Sequence, residues 1–395
     1  MKITLKKGID WIGKIDWEIR RFHGHEYTAN RGTSYNSYLV RDEKNVLIDT
    51  VAAPFSLEFV KNLAEEIALD KIDYVVINHA EPDHSGALKE LMRHIPQTTI
   101  VCTKNCVDSL RGHYHEDWNF QIVKTGDRLS VGKKDLIFIE APMIHWPDTM
   151  FTYLTVDNVL FSNDAFGQHY ASEFMTNDQV SQNDLFAEAM KYYANIVNKF
   201  SPIVLRKINE IKNLNLPISM ICPSHGIIWK KKCEQIIDKY LEWASDYQEN
   251  QVTIIYDTMW TATRQMAEWI AKGIHQEDST INIKLFKVSN SDKNDIITEI
   301  FKSKAVLFGS PTLNNGLMSE VAGILEEVQG MAFKKKSAAA FGSYGWSGES
   351  VVKLTNSLQG MGFKIINQGL KIQWQPDTKA IKDCIEYGKE VARNI

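Results

Sequence analysis

Apolar and polar positions divide the chain into two stretches with different rhythms. From Gln251 onward, short apolar runs alternate with amphipathic segments of helical period. The pattern predicts strands at 252–256, 281–286, 304–309, 337–342 and 363–367. Helices are predicted at 260–274, 292–302, 317–329, 348–360 and 377–393. Such alternation predicts an α/β domain over residues 251–395, built on a doubly wound, five-stranded parallel sheet. Residues 1–250 read as a separate α+β domain whose strands follow one another closely. Its early strands are predicted at 3–5, 9–15, 35–40 and 46–49, followed by a helix at 55–68 and an apolar strand at 74–78. Later strands are predicted at 99–102, 120–124, 136–140, 151–156, 159–162 and 218–222. An acidic, aromatic stretch at 233–249 is predicted as a helix at the boundary.

Composition narrows the class. Of 395 residues, 44% are apolar and 24% charged, a globular rather than a disordered balance. The formal net charge of −4 predicts no basic face and argues against a nucleic-acid partner. No run approaches the about 20 apolar residues of a membrane span. No apolar stretch follows the basic N-terminus, so no signal peptide is expected. Five Cys without a Cys-x-x-Cys pair argue against a disulfide framework, a zinc ribbon or a rubredoxin-type iron site. The expectation is a cytoplasmic protein with reduced thiols.

The densest chemistry follows the strand at 74–78, in His79-Ala-Glu81-Pro-Asp83-His84. Four potential ligands lie within six residues, a coincidence on the order of one in a thousand for ordinary residue usage. Pro82 disfavours a regular helix there, and an extended segment would point His79, Glu81 and Asp83 to one side. His145, Asp164 and His225 each follow another predicted strand, near Gly, Pro or Ser. Seven candidate ligands exceed the needs of one tetrahedral zinc and suit two metals sharing a carboxylate. Imidazole and carboxylate without thiolate suit zinc, iron or manganese.

This pattern resembles the metallo-β-lactamase fold, with Glu81 where the usual loop has a second His. That replacement resembles the flavodiiron proteins, also called A-type flavoproteins. The resemblance implies an αββα sandwich with a non-haem diiron centre at one edge. It implies that His79, Glu81 and His145 bind one iron and Asp83, His84 and His225 the other. Asp164 would bridge them beside a hydroxo or oxo group. The resemblance further assigns pocket roles toward the gas substrate to His25, in Phe22-His-Gly-His25, and to Tyr193, in Tyr192-Tyr193-Ala-Asn.

The second half supplies a matching cofactor. Its first strand runs into Thr258, Met259, Trp260, Thr261, Ala262 and Thr263, then into a helix. A helix start behind a loop rich in hydroxyls is a phosphate site. Neither the Gly-x-x-x-x-Gly-Lys nor the Gly-x-Gly-x-x-Gly spacing is present. Two more loops end predicted strands: Pro311, Thr312, Leu313 and Asn314, and Ser343, Tyr344, Gly345, Trp346, Ser347 and Gly348. Together the three resemble the FMN loops of flavodoxins, with Thr261 where Gly is usual.

The combination resembles flavodiiron proteins of the simplest two-domain layout, including the oxygen-reducing deazaflavin-coenzyme oxidases. It implies electron flow from an external donor through FMN to the diiron site, which reduces dioxygen to water or nitric oxide to nitrous oxide. The histidine and tyrosine motifs favour dioxygen, hence oxygen scavenging in an anaerobe. A head-to-tail homodimer, or a dimer of dimers, is implied, because it brings the FMN of one subunit beside the iron of the other. The donor is expected to be a rubredoxin-like protein or a reduced deazaflavin coenzyme. Two rival readings make other expectations: a dizinc hydrolase would carry zinc and no colour, and a plain electron carrier would carry flavin without iron.

Overall fold

A computed structural model describes residues 2–395; Met1 lies outside them. The chain separates into two compact units, the first ending at Ala244 and the second spanning Ser245–Ile395.

The first unit packs two sheets face to face. One has seven strands, in the spatial order Ile3–Lys6, Ile9–Trp11, Tyr38–Arg41, Asn45–Ile48, Ile72–Val76, Thr99–Cys102 and Phe120–Ile122. The other has five: Arg128–Ser130, Asp135–Glu140, Met150–Leu154, Val159–Asn163 and Met220–Pro223. Alternation along each strand explains the layers. Val40, Val46, Ile48 and Val76 of the larger sheet join Phe138, Leu154 and Phe161 of the smaller in one buried cluster. Leu39, Leu47, Val75 and Ile77, on the opposite face, pack with Phe59 and Leu63 of the helix Ser56–Glu66 and with Val107 and Leu110 of the helix Lys104–Tyr114. The central strands are buried on both faces, which is why they read as continuous apolar runs.

The strand predicted at 9–15 is broken. Ile9–Trp11 belongs to the large sheet, whereas Lys14–Asp16 pairs with Thr33–Tyr35 in a separate ribbon. Between them the backbone of Gly13 crosses Tyr35 and Ser37 so closely that a Cβ would lie 2.0 Å from the Tyr35 carbonyl oxygen. Only glycine allows that approach.

The second unit is a wholly parallel sheet. Its order is Asn282–Lys287, Glu249–Tyr256, Ser303–Gly309 and Ser337–Tyr344, with two short strands side by side along the last. Lys364–Ile365 pairs with its beginning and Leu370–Gln373 with its end. The predicted fifth strand thus occupies its place as two pieces, and Leu370–Gln373 was not foreseen. The switch of direction falls between Glu249–Tyr256 and Ser303–Gly309, where such sheets bind ligands beyond the strand ends. No helix among the described residues is long and apolar enough to cross a membrane.

Candidate metal centre and flavin loops

The C-terminal ends of strands from both sheets of the first unit deliver the candidate ligands to one edge. Ile72–Val76 leads to His79–His84, Asp135–Glu140 to His145, Val159–Asn163 to Asp164, and Met220–Pro223 to His225. The His79–His84 loop is not extended throughout. Glu81 is extended, but Pro82–Ser85 forms one helical turn. Proline suits the first position of a helix, where its missing N–H is not needed and its φ is already right. Asp83 and His84 therefore leave the loop on a helical turn rather than by strand alternation.

Two groups of donors result. In one, ligand atoms of His79, Glu81, His145 and Asp164 lie within 4.8 Å of one another; in the other, those of Asp83, His84 and His225 do. Asp164 faces both. Its Oδ2 lies 3.5 Å from His145 Nε2 and 3.9 Å from His79 Nε2. Its Oδ1 lies 3.1 Å from His84 Nε2 and 3.6 Å from His225 Nε2. Glu81 Oε2 stands 3.1 Å from His79 Nε2 and 3.5 Å from His145 Nε2.

Buried Asp83 Oδ1, His84 Nε2 and Asp164 Oδ2 have no hydrogen-bond partner. Buried polar atoms aimed together without partners are costly unless an ion completes them. The donor set accordingly fits two cations. Burial alone would push the Asp164 carboxyl up, but the His84 and His145 imidazoles hold it well below the usual range. Burial likewise opposes a charge on His84, yet Asp164 and Asp83 raise it to about 9. The site demands positive charge between its carboxylates, which is what a divalent or trivalent metal supplies.

Supporting contacts orient the imidazoles. His225 Nδ1 donates to the Ser34 carbonyl at 2.8 Å, leaving Nε2 toward the cage. His79 Nδ1 lies 3.1 Å from Asp148 Oδ1, and Asp148 Oδ2 accepts from Ala80 N at 2.8 Å. Sequence reasoning missed Asp148. Its signal is a carboxylate three residues after His145, just before the strand Met150–Leu154.

For the two residues assigned pocket roles, a neighbour of each lies against the donor groups. His23 and His25 are both exposed, but His23 Nε2 lies 3.4 Å from Glu81 Oε1 and 3.9 Å from Asp83 Oδ2. Positive φ at His23 and Gly24 makes a tight turn, so strand alternation does not decide which histidine faces the cage. Tyr193 is buried with its hydroxyl 2.7 Å from Ser201 Oγ, against Tyr240 and Trp243. Tyr192 instead donates to Asp164 Oδ1 at 3.0 Å. The helix Gln182–Tyr192 ends there and a π-helical turn, Tyr193–Val197, follows. Adjacent helical residues point about 100° apart, so only one of the two can face the cage.

In the second unit the three predicted loops meet at the strand ends. Thr263 Oγ1 lies 2.9 Å from Ser343 Oγ, and Thr312 N donates to the Ser343 carbonyl at 2.9 Å. Ala262 opens the helix Ala262–Glu277, whose N-cap Thr261 makes no side-chain cap bond. The Thr258 hydroxyl is buried without a partner. Open N–H groups and an unpaired hydroxyl fit a phosphate. Met259, Trp260, Leu313 and Trp346 are exposed around these loops. Pro311 is buried, while Asn314 turns through positive φ and Leu313 bonds back to Gly316. Gly348 also has positive φ and packs under the Tyr344 ring, beside Gly345 and Ser347.

Two groups of metal donors that share Asp164 in one unit, and a loop that fits a phosphate in the other, suit one class: oxidoreductases that pair FMN with a non-haem metal centre. Comparison with known proteins agrees. The model of the ODP family beta lactamase matches residues 33–226, and that of flavodoxin matches residues 254–388. The anaerobic nitric oxide reductase flavorubredoxin of Escherichia coli (strain K12) is 55% identical over 395 residues, covering 100% of this chain and 82% of that protein. The rubredoxin oxygen:oxidoreductase from Desulfovibrio gigas superposes with a TM-score of 0.97 at 37% identity, covering 100% of this chain and 98% of that one. The flavodiiron protein from Giardia intestinalis gives 0.95 at 34%, covering 100% and 96%. The chain belongs to the flavodiiron proteins. It is a flavodiiron oxidoreductase with FMN and a non-haem diiron centre as its cofactors.

Proposed function

We propose that the chain reduces nitric oxide to nitrous oxide, with reduction of dioxygen to water as a second activity of the same site. The paired cage around Asp164, with one oxygen toward each group of donors, carries the reading of a dinuclear gas reductase. The expectation from sequence put dioxygen first. Identity of 55% along the whole chain to a protein named as a nitric oxide reductase supports the reverse order. The oxygen:oxidoreductase, at 37%, supports dioxygen as the second substrate.

When bound, FMN and iron supply the electrons: two, with two protons, convert two nitric oxide molecules to nitrous oxide and water, and four, with four protons, convert dioxygen to two waters. The protein's part is position and charge. His79, Glu81 and His145 would hold one iron and Asp83, His84 and His225 the other, with Asp164 shared between the two groups. Asp148 and the Ser34 carbonyl fix which imidazole nitrogen faces the metal. His23, exposed to solvent and with Nε2 near both Glu81 and Asp83, stands where it can pass a proton from solvent to the reacting gas. Tyr192 gives its one O–H to Asp164 Oδ1 and keeps that carboxylate oriented. In the second unit, Thr258, Thr263 and the N–H groups opening the helix Ala262–Glu277 would bind the flavin phosphate, and the loops at 311–314 and 343–348 would supply the ring's surroundings.

The working form is a homodimer supplied by a rubredoxin-type donor. Assays with a reduced rubredoxin test the reading by comparing nitrous oxide formation under anaerobic conditions with dioxygen consumption in separate, oxygenated samples. Turnover of nitric oxide exceeding that of dioxygen is expected. Loaded protein that consumes neither gas overturns the proposal.

A further inference from the structure

The phosphate loop contains a residue at odds with its own backbone. Thr261 has φ 71° and ψ −15°, in the left-handed region. A β-branched residue is disfavoured there, because its Cβ crowds the neighbouring carbonyl. Its side chain does not cap the helix it begins. Support for this conformation must come from outside the loop.

It comes from the segment ending the unforeseen strand Leu370–Gln373. Gln375 Nε2 donates to the Trp260 carbonyl at 2.7 Å. Gln265 Nε2 lies 3.3 Å from Thr261 Oγ1 and 3.3 Å from Gln375 Oε1, tying the same loop to its own helix. Two residues back, Gln373 Nε2 donates to the Gly345 carbonyl at 2.8 Å. Between them, Trp374 N donates to the Tyr344 carbonyl at 2.8 Å. The Trp374 ring lies across Gly345, where a Cβ would come 3.1 Å from it. Three consecutive residues thus bond to two of the three flavin loops.

We infer that Gln373–Gln375 is a clip that sets the FMN phosphate loop, with Gln375 as the positioning residue that holds Trp260–Thr261 in its left-handed conformation. The inference rests on the FMN reading of the three loops. Its logic is one of orientation. Phosphate is held by N–H groups whose directions follow from the Thr261 backbone. A loop already set in that shape binds without first being ordered. Gln375 acts on the backbone of the phosphate loop, so its effect should be confined to ligands that carry the phosphate.

The test uses the full-length chain freed of flavin and titrated with FMN and with riboflavin, followed by quenching of flavin fluorescence. Gln375→Ala is expected to raise the FMN Kd about tenfold while leaving the riboflavin Kd within about twofold. Thr261→Gly, which tolerates the left-handed backbone unaided, is expected to abolish most of the Gln375→Ala effect in the double variant. Equal losses for both flavins, an unchanged FMN Kd, or no rescue by Thr261→Gly would overturn the clip. A parent chain that binds riboflavin as tightly as FMN, or neither, would instead overturn the phosphate-loop reading on which the clip rests.

Discussion

Replacing Asp148 by Asn is a stringent probe of the metal cage, because it changes one atom in a fully buried place. Asp148 faces His79 Nδ1 at 3.1 and 3.2 Å and accepts from Ala80 N at 2.8 Å. Burial works against its charge, but the His79 imidazole and the Ala80 N–H keep its carboxyl below the usual range. An amide offers one acceptor where two donors converge. Either His79 or Ala80 then meets an NH2 group, and a buried donor left unpaired costs about 1–3 kcal/mol. If His79 yields, its Nδ1 loses its proton and its Nε2 gains one, which blocks the nitrogen meant for iron. Loss of such an outer partner typically weakens metal binding about 10–100-fold. The expected result of Asp148→Asn is therefore preferential release of one iron per chain to a ferrous chelator, with the second retained. Iron per chain is read after stepwise chelator competition, with the thermal melt as a check on folding. Chelator release identical to that of the parent would refute the assignment of Asp148 as the group that orients His79.

Further outcomes follow from other contacts. Tyr192→Phe removes a hydrogen bond to the bridging carboxylate, and should slow gas reduction at least about tenfold. Tyr193→Phe, whose hydroxyl faces Ser201, should stay within about twofold; the reverse ranking in steady-state assays would restore the order expected from sequence. Glu81→His replaces the anionic oxygen donor by imidazole, and should raise the zinc-to-iron ratio measured by elemental analysis. Lys336 is buried, with Nζ donating to the carbonyls of Phe301 and Ser303 at 2.7 Å, and burial lowers its pKa from 10.5 to about 7. Between about pH 7 and 8.5 the unfolded chain therefore binds more protons, so stability of the second unit should rise with pH, by up to about 1.4 kcal/mol per unit. The window closes there because Cys384, raised from 9.0 to about 12, works in the opposite direction above it. Lys336→Met should flatten the slope in urea unfolding, and an unchanged slope would show that another group is responsible.

What could be read from the sequence follows from local physics. The buried stretches Val75–Val76 and Ala305–Phe308 are apolar, so their strands were visible, and the polar residues just past Val76 stood out as ligands. The seven cage residues all have that signature or lie in the loop of His79. Direction within turns was not visible. His23 lies beside Glu81 because two positive-φ residues reverse the chain, and Tyr192 rather than Tyr193 meets Asp164 because one helical step turns the side chain by about 100°. The helical turn at Pro82 was misread because proline inside a helix and proline at its first position look alike in a short motif. Leu370–Gln373 escaped notice because four residues with two polar members carry little periodicity, although its far end clips the flavin loops.

The most direct test of the account is the content of iron, zinc and FMN per chain in protein purified without added metal. The account predicts about two irons and about one FMN, with little zinc. Two zinc ions without iron would contradict it, because the cage around Asp164 would then serve a hydrolytic rather than a redox centre.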